Sequence, residues 1–315
     1  MMNRIAILCS GQAGQHAGMF DLAREDERVS QLLQAWPLEE LCGHPLQEIL
    51  SDEKLLFSNP IAQPMVVASI LATWEAVKNI VPKPVVVAGY SIGELASWAV
   101  AGALSGEEVI RLAALRAQLL QACIARDEPQ VMLAISLSQA LLQMSEILPL
   151  LQAHGFYSAI EVDEDSIIAG GLLKQADALE QAITNAGGKV TRLPIEIASH
   201  TPWMQAAVTP FSEAIASSGL NTPLFPVLAG ISGARLLNKE AAADCLSRQL
   251  AEPIRWHAVM DSLHEAGVTM ALELGPGAAL ARMLKTRHPH IQCRSVAEFR
   301  SLAGIRKWIE QCSEA

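Results

Sequence analysis

The chain has 315 residues, 51% apolar and 18% charged, with a mean hydropathy of +0.26. That excludes a disordered chain and allows a sizeable core, as two domains or as one large α/β domain with an inserted lobe. A formal charge of −10, from 23 basic and 33 acidic residues, and 4% aromatics argue against a general grip on nucleic acid or an anionic membrane and against base-stacking platforms.

In chain order, Ile5–Cys9 is an apolar run that reads as a buried strand entering a glycine-rich turn. The run before Ser10 is too short for a signal peptide. The turn, Gly11-Gln12-Ala13-Gly14-Gln15, lacks the Lys and Ser/Thr of a phosphate loop and does not match GxGxxG. It is a weak nucleotide signal, but it can bring backbone donors beside an oxyanion. Asn59-Pro60 opens an apolar helix with Asn59 as N-cap, Pro60 at the first position and Pro64 in the first turn. Residues 84–88 are a second buried strand, without alternation, as expected of a parallel strand covered on both faces. It leads into Gly89-Tyr90-Ser91-Ile92-Gly93 and a helix to Val100. The apolar stretch 85–104 is broken by Ser91, Glu94 and three glycines and is no membrane span. Ser105 and Glu108 form a capping box for a helix running to about Ala125.

From 126 to 197 the rhythm changes to β-α-β-β-α-β, with strands at 131–135, 157–162, 166–169 and 190–195. This is a ferredoxin-like pattern and predicts an inserted small lobe. Helix–strand alternation resumes at 198, with strands at Val227–Leu228 and Met270–Leu274 before Gly275-Pro276-Gly277. The six cysteines, at 9, 42, 123, 245, 293 and 312, have no zinc or CxxC spacing and read as reduced thiols of a cytoplasmic protein.

Strand, Gly-x-Ser-x-Gly turn and helix together are the setting of a nucleophile elbow. Ser91 is the candidate nucleophile, and the N–H of Ile92, at the helix N-terminus, the natural oxyanion donor. The same glycines would also serve an ordinary strand-to-helix turn. Among eight histidines, His200 stands out: it ends an apolar segment and precedes Pro202, a strand-end position from which catalytic side chains project. Arg116 shares its helix face with Val109, Leu112, Leu119, Leu120 and Cys123, where a guanidinium is costly unless an anion meets it. A ligand carboxylate, a distant structural acid and snorkelling to water remain equal readings of that position. His288 and His290, beside Lys285, Arg287 and Arg294, have no carboxylate or cysteine at ligand spacing and read as solvated surface rather than metal ligands. Arg282, Lys285, Arg287 and Arg294 are the densest basic segment, with Lys174, Lys189 and Arg192 next.

The order GQAGQ, NPIAQP, GYSIGE, LRAQLLQ, IASHTPWM, QLAEPIRW and ELGPG resembles the malonyl-CoA:acyl-carrier-protein transacylase family and the acyltransferase domains of fatty-acid and polyketide synthases, over nearly the whole chain. The resemblance implies an α/β-hydrolase-like large lobe (1–125 and 198–315) with an inserted ferredoxin-like lobe (126–197). It carries Ser91 over as nucleophile, His200 as general base, Gln12 and Ile92 as oxyanion donors and Arg116 as partner of the malonyl carboxylate. Gln249 matches the position whose main-chain carbonyl orients the histidine, and Gln63 a glutamine lining the cleft. Malonyl-CoA and an acyl carrier protein bearing a phosphopantetheine-type thiol are the implied substrates, with no metal or other cofactor, no nucleic acid and no membrane. A local basic patch is then the expected docking point for an acidic carrier. Four departures, Tyr90 for the usual histidine, Ala13-Gly14 in the first turn, Cys9-Ser10 before it and Glu161-Val162-Asp163-Glu164-Asp165 for an Asn/Ser-rich small-lobe segment, resemble the epsilon subunit of biotin-independent malonate decarboxylase. The alternatives are a general fatty-acid-synthesis malonyl transacylase and, in another class, a serine thioesterase. The latter normally brings a fixed acid behind its histidine.

Overall fold

The structure is a computed structural model that describes residues 4–137 and 144–314. Its strands are β1 (Ile5–Cys9), β2 (Val86–Gly89), β3 (Gln130–Ser136), β4 (Tyr157–Asp163), β5 (Ser166–Leu172), β6 (Lys189–Arg192), β7 (Val227–Leu228), β8 (Arg235–Leu236), β9 (Ile254–Arg255), β10 (Met270–Leu274) and β11 (Gln292–Ser295). They form a six-stranded sheet, ordered β11-β10-β1-β2-β7-β8, and a five-stranded sheet, ordered β6-β3-β5-β4-β9.

In the larger sheet all pairings are parallel except β7 with β8. β1, β2 and β10 are buried at every residue, which is why they are apolar without alternation: helices cover both faces. Glu273, the acid of β10, is the exception. Its two oxygens accept the Leu280 and Ala281 N–H groups at 3.2 and 2.8 Å, capping the helix that follows the Gly275-Pro276-Gly277 turn. Burial raises its pKa to about 7.

The Asn59–Val77 helix is apolar on all sides and packs against the Gly106–Ala122 and Ile92–Val100 helices. By length and composition it could cross a membrane, but 83% of that stretch is buried inside the fold. Its N-cap is Ser58 rather than Asn59. The Asn59 amide instead donates to the Ala117 carbonyl at 3.0 Å and accepts from Gln63 at 2.8 Å, tying two helices together. With this cap Pro64 is the sixth helical residue, in the second turn rather than the first.

In the smaller sheet, β3, β4, β5 and β6 pair antiparallel, over their own core of Leu133, Ile147, Phe156, Ile167, Leu179 and Ile183. The helices of this region, Met144–Ala153 and Ala176–Asn185, follow the expected β-α-β-β-α-β order. β6 stops at Arg192. Leu193 still donates to the Met132 carbonyl at 2.9 Å, but Pro194 has no N–H to continue the ladder. The fifth strand, β9, comes from outside 126–197 and pairs parallel with β4, Ile160 opposite Ile254.

Candidate active site

β1 and β2 are neighbours, with Cys9 opposite Gly89, so the turns that follow them leave the same sheet edge side by side. The carboxyl ends of parallel strands are where open α/β sheets place their ligand sites. The glycines of the second turn are required by contact. A Cβ on Gly93 would stand 2.2 Å from the Cys9 carbonyl oxygen, and one on Gly89 would stand 2.2 Å from the Gly93 backbone. Ser91, held between them, has φ 55° and ψ −114°. Such a backbone is strained for a residue with a side chain and presents the hydroxyl at the tip of the elbow, half-buried.

His200 meets it there. Ser91 Oγ and His200 Nε2 are 2.7 Å apart, and His200 Nδ1 lies 2.5 Å from the Gln249 main-chain oxygen. A carbonyl oxygen only accepts, so Nδ1 carries the ring proton and Nε2 is left with a lone pair for the serine O–H. His200 also has positive φ, 62°. Its N–H donates to the Leu250 carbonyl at 2.8 Å, which pins this backbone against the segment that orients the ring. Burial and the charge of Arg116 push the His200 pKa down to about 3, against an upward pull from the Gln249 carbonyl. The imidazole is therefore neutral at neutral pH, as a proton acceptor must be.

Arg116 is 2% exposed. One guanidinium nitrogen donates to Gln63 Oε1 at 2.6 Å and another stands 3.4 Å from Ser91 Oγ. Gln63 is fixed in turn by Asn59. Among the described residues no carboxylate forms an ion pair with Arg116. Burial lowers its pKa to about 10, and Glu94, the acid acting on it at longer range, offsets part of that. The site thus holds a buried, charged anion receptor beside a serine hydroxyl.

Glu94 is the residue whose part the sequence reading missed. It looks like an ordinary acid in the first turn of a helix, yet it is fully buried. Its Oε2 accepts from the Gly230 N–H at 2.8 Å and from the Gln249 side-chain amide, while Oε1 has no partner among the described residues. Burial raises its pKa to about 7, against hydrogen bonds from Gly230 and Gln249. Ser91, His200 and Gln249 are joined directly, and Glu94 holds the side chain of the residue whose carbonyl orients the imidazole. Tyr90 packs edge-on against Trp256, 5.1 Å between ring centres, with its hydroxyl buried and unpartnered.

Ile92 opens the helix after Ser91, where its N–H has no intrahelical acceptor. Gln12, half-buried, lies in the neighbouring turn and lines a cleft of about 760 Å³ with Asn59, Lys54, Gln121, Arg192 and Glu196. Ala13, next to Gln12, has φ 84°. Among the described residues, Ala13, Ser91 and His200 are the non-glycine residues with positive φ; Ser91 and His200 touch each other, and Ala13 lies in the neighbouring turn.

The basic segment near the C-terminus is less free than its sequence suggests. Arg287 is paired with Asp261 and Asp163. Arg294 lies 4.0 Å over the Phe299 ring and 3.8 Å from Glu298. Arg192 and Lys174 on the smaller sheet are paired as well, Arg192 with Asp177 and Glu180 and Lys174 with Glu128.

Residues 7–305 match the acyl transferase domain family. A malonyl CoA-acyl carrier protein transacylase of Mycobacterium tuberculosis is 30% identical over 309 residues, covering 96% of this chain and all of that one. A similar transacylase of Haemophilus influenzae is 26% identical over 98% of this chain and 100% of its own. Among solved structures, the malonyl CoA-acyl carrier protein transacylase of Coxiella burnetii superposes with a TM-score of 0.90 at 24% identity, covering 99% of each chain. A malonyl-transacylase in complex with its type II acyl-carrier protein superposes with a TM-score of 0.88 at 23% identity, covering 97% of this chain and 99% of that one.

Proposed function

The chain belongs to the acyl transferase domain family, and from that premise we propose that it moves a malonyl group from malonyl-CoA to the phosphopantetheine thiol of an acyl carrier protein through a malonyl ester on Ser91. The observation that carries this reading is the buried guanidinium of Arg116, unpaired with any described carboxylate, 3.4 Å from a hydroxyl that is itself 2.7 Å from a neutral imidazole nitrogen. A receptor of that kind suits an acyl group that carries its own carboxylate.

Malonyl-CoA enters with its free carboxylate on Arg116. As Ser91 Oγ attacks the thioester carbon, its proton passes to His200 Nε2, and the Oγ–C bond forms. The imidazolium is steadied by the Gln249 carbonyl on Nδ1. The oxyanion sits on the N–H groups of Ile92 and Gln12, each worth about 3–4 kcal/mol in such sites. The C–S bond then breaks and CoA leaves as thiol with the proton from Nε2. The carrier thiol enters by the same cleft, gives its proton to His200, and takes the malonyl group as Ser91 leaves protonated. No step calls on a metal or redox cofactor, and free thiols suit a cytoplasmic setting. The strand order β6-β3-β5-β4 supports reading 126–197 as a ferredoxin-like lobe inserted in an α/β-hydrolase-like one.

Relatives named as acyl carrier protein transacylases support a general malonyl transacylase of fatty-acid or polyketide synthesis ahead of a malonate decarboxylase subunit. Tyr90 and Ala13 are what favours the narrower branch. The test is incubation with labelled malonyl-CoA, alone and then with holo carrier protein. One malonyl group per chain should appear and then transfer. Ser91→Ala should lose the label and at least about 10⁴-fold in rate. A label that survives in Ser91→Ala refutes the nucleophile, and release as free malonate without carrier points to a hydrolase.

A further inference from the structure

We propose that His264, His288 and His290 form a binding site for a divalent transition-metal ion of the zinc class, apart from the Ser91 site. The sequence offers only His288 and His290 flanking Pro289. The fold supplies a third imidazole from the Trp256–Glu265 helix, and one ring nitrogen of each lies within 4.8 Å of the others. His264 Nδ1 and His290 Nε2 are 3.0 Å apart. Two nitrogens at about 2.0–2.1 Å from a tetrahedral ion stand roughly 3.3 Å apart, so His264 and His290 are already near ligating separation; the His264 and His288 rings stack 4.9 Å apart, 15° between their planes, and ligation by all three requires one of these two rings to turn. The proton that now lies between those two nitrogens goes to solvent as the ion binds.

The surroundings suit a held ion. His288 Nε2 is 3.0 Å from Asp261 Oδ1, one turn before His264 on the same helix. Arg287 donates to both oxygens of Asp261 at 2.7 and 2.8 Å, so the carboxylate is fixed and in turn fixes the His288 ring. Such carboxylate–histidine pairs orient ligating imidazoles. The charge of Arg287 is answered by Asp163 as well as Asp261, which limits its repulsion of a cation. His264 and His290 are exposed, leaving open positions for water. Three imidazoles select zinc, nickel, copper or cobalt over magnesium or calcium. The bound ion would clamp the Trp256–Glu265 helix to the turn between the Ala279–Arg287 helix and β11.

The probes are Co²⁺, read by visible absorption, and Zn²⁺, read by calorimetry and thermal unfolding. The protein is the whole chain, with His264→Gln, His290→Gln and the double variant alongside. One ion per chain is expected, with affinity at least about tenfold lower in each single variant. Zn²⁺ should raise Tm in the parent and not in the double variant, while acyl transfer without metal is unchanged. Because all six cysteines remain in the double variant, thiol binding is subtracted. Binding in the double variant equal to the parent, or no saturable binding in the parent, overturns the proposal.

Discussion

The surroundings of Ser91 and the β3–β6 sheet obey different rules. In the first region, non-glycine residues occupy positive φ at Ala13, Ser91 and His200, and Arg116 and Glu94 are buried ionisable groups that form no ion pair among the described residues. In the second, the described residues with positive φ are the glycines 155 and 187, and the arginine and lysine pairs lie exposed. The contrast locates where this chain spends its stability: strain and unmatched charge gather around Ser91, held in place by a core that over-determines them. The smaller sheet gives up little of its own.

Replacing Arg116 tests that contrast most sharply. Loss of two charged hydrogen bonds to the substrate, each worth about 1.5–3 kcal/mol, should lower kcat/KM for malonyl-CoA about 100-fold or more in Arg116→Ala. Acetyl-CoA, lacking the carboxylate, should be far less affected and could load faster. Relief of a desolvated charge should offset part of the cost of the lost hydrogen bond to the buried Gln63, so the stability loss should be small beside the loss of activity. Equal losses with both substrates would make Arg116 a structural residue.

Next in size is Glu94. If it positions Gln249 and through it His200, Glu94→Gln should lower kcat about tenfold with KM nearly unchanged. A purely structural role would lower stability and leave kcat per folded molecule intact. The variant also has a pH signature. The folded pKa is raised from 4.5 to about 7, so the protonated carboxyl is favoured by the fold. That contribution is present below pH 4.5 and is lost as pH rises through 7. Glu94→Gln should remove this fall, and urea unfolding across that range reads it.

His200 has the opposite sign. Its pKa falls from 6.5 to about 3 on burial, so stability is gained above pH 6.5 and lost as pH drops toward 3. Comparing the parent with His200→Gln across pH 4–7 isolates that loss. The acid limb of kcat/KM should likewise lie well below the ordinary imidazole value of about 6.5. Smallest is Ala13→Gly, expected to raise stability by about 1 kcal/mol by relieving positive φ, with activity retained. A destabilised Ala13→Gly would mean the alanine methyl has a packing partner that outweighs its strain.

Much of the larger sheet was legible because β1 and β2 are unbroken apolar runs and β10 is interrupted by Glu273 alone, each closed by a glycine turn. β8 and, in the smaller sheet, β9 were not, each being one apolar residue beside an arginine, nor β11, a polar edge strand. The candidate site was legible where chemistry needs a particular side chain: Ser91, His200 and Arg116 each violate a local pattern. Glu94 was not, since an acid in a helix's first turn is ordinary until the fold buries it. His264 was not either, because it lies 26 residues from the imidazole it meets. The ion-pair partners of Arg287, Asp261 and Asp163, were not legible for the same reason, being remote in sequence.

β9 sets a limit on modular exchange. Residues 126–197 look like a cassette that could be cut out and replaced by another, but β4 leans on a strand that the cassette does not contain. Removing it would expose β4's partner Ile254 and free the chain five residues after Gln249, whose carbonyl steers the imidazole. Arg255, also in β9, donates its N–H to the Gly230 carbonyl at 2.8 Å, and Gly230 in turn donates to Glu94. A graft that keeps the catalytic register must therefore carry a β4 able to hydrogen-bond Ile254 and Arg255, whatever else it changes.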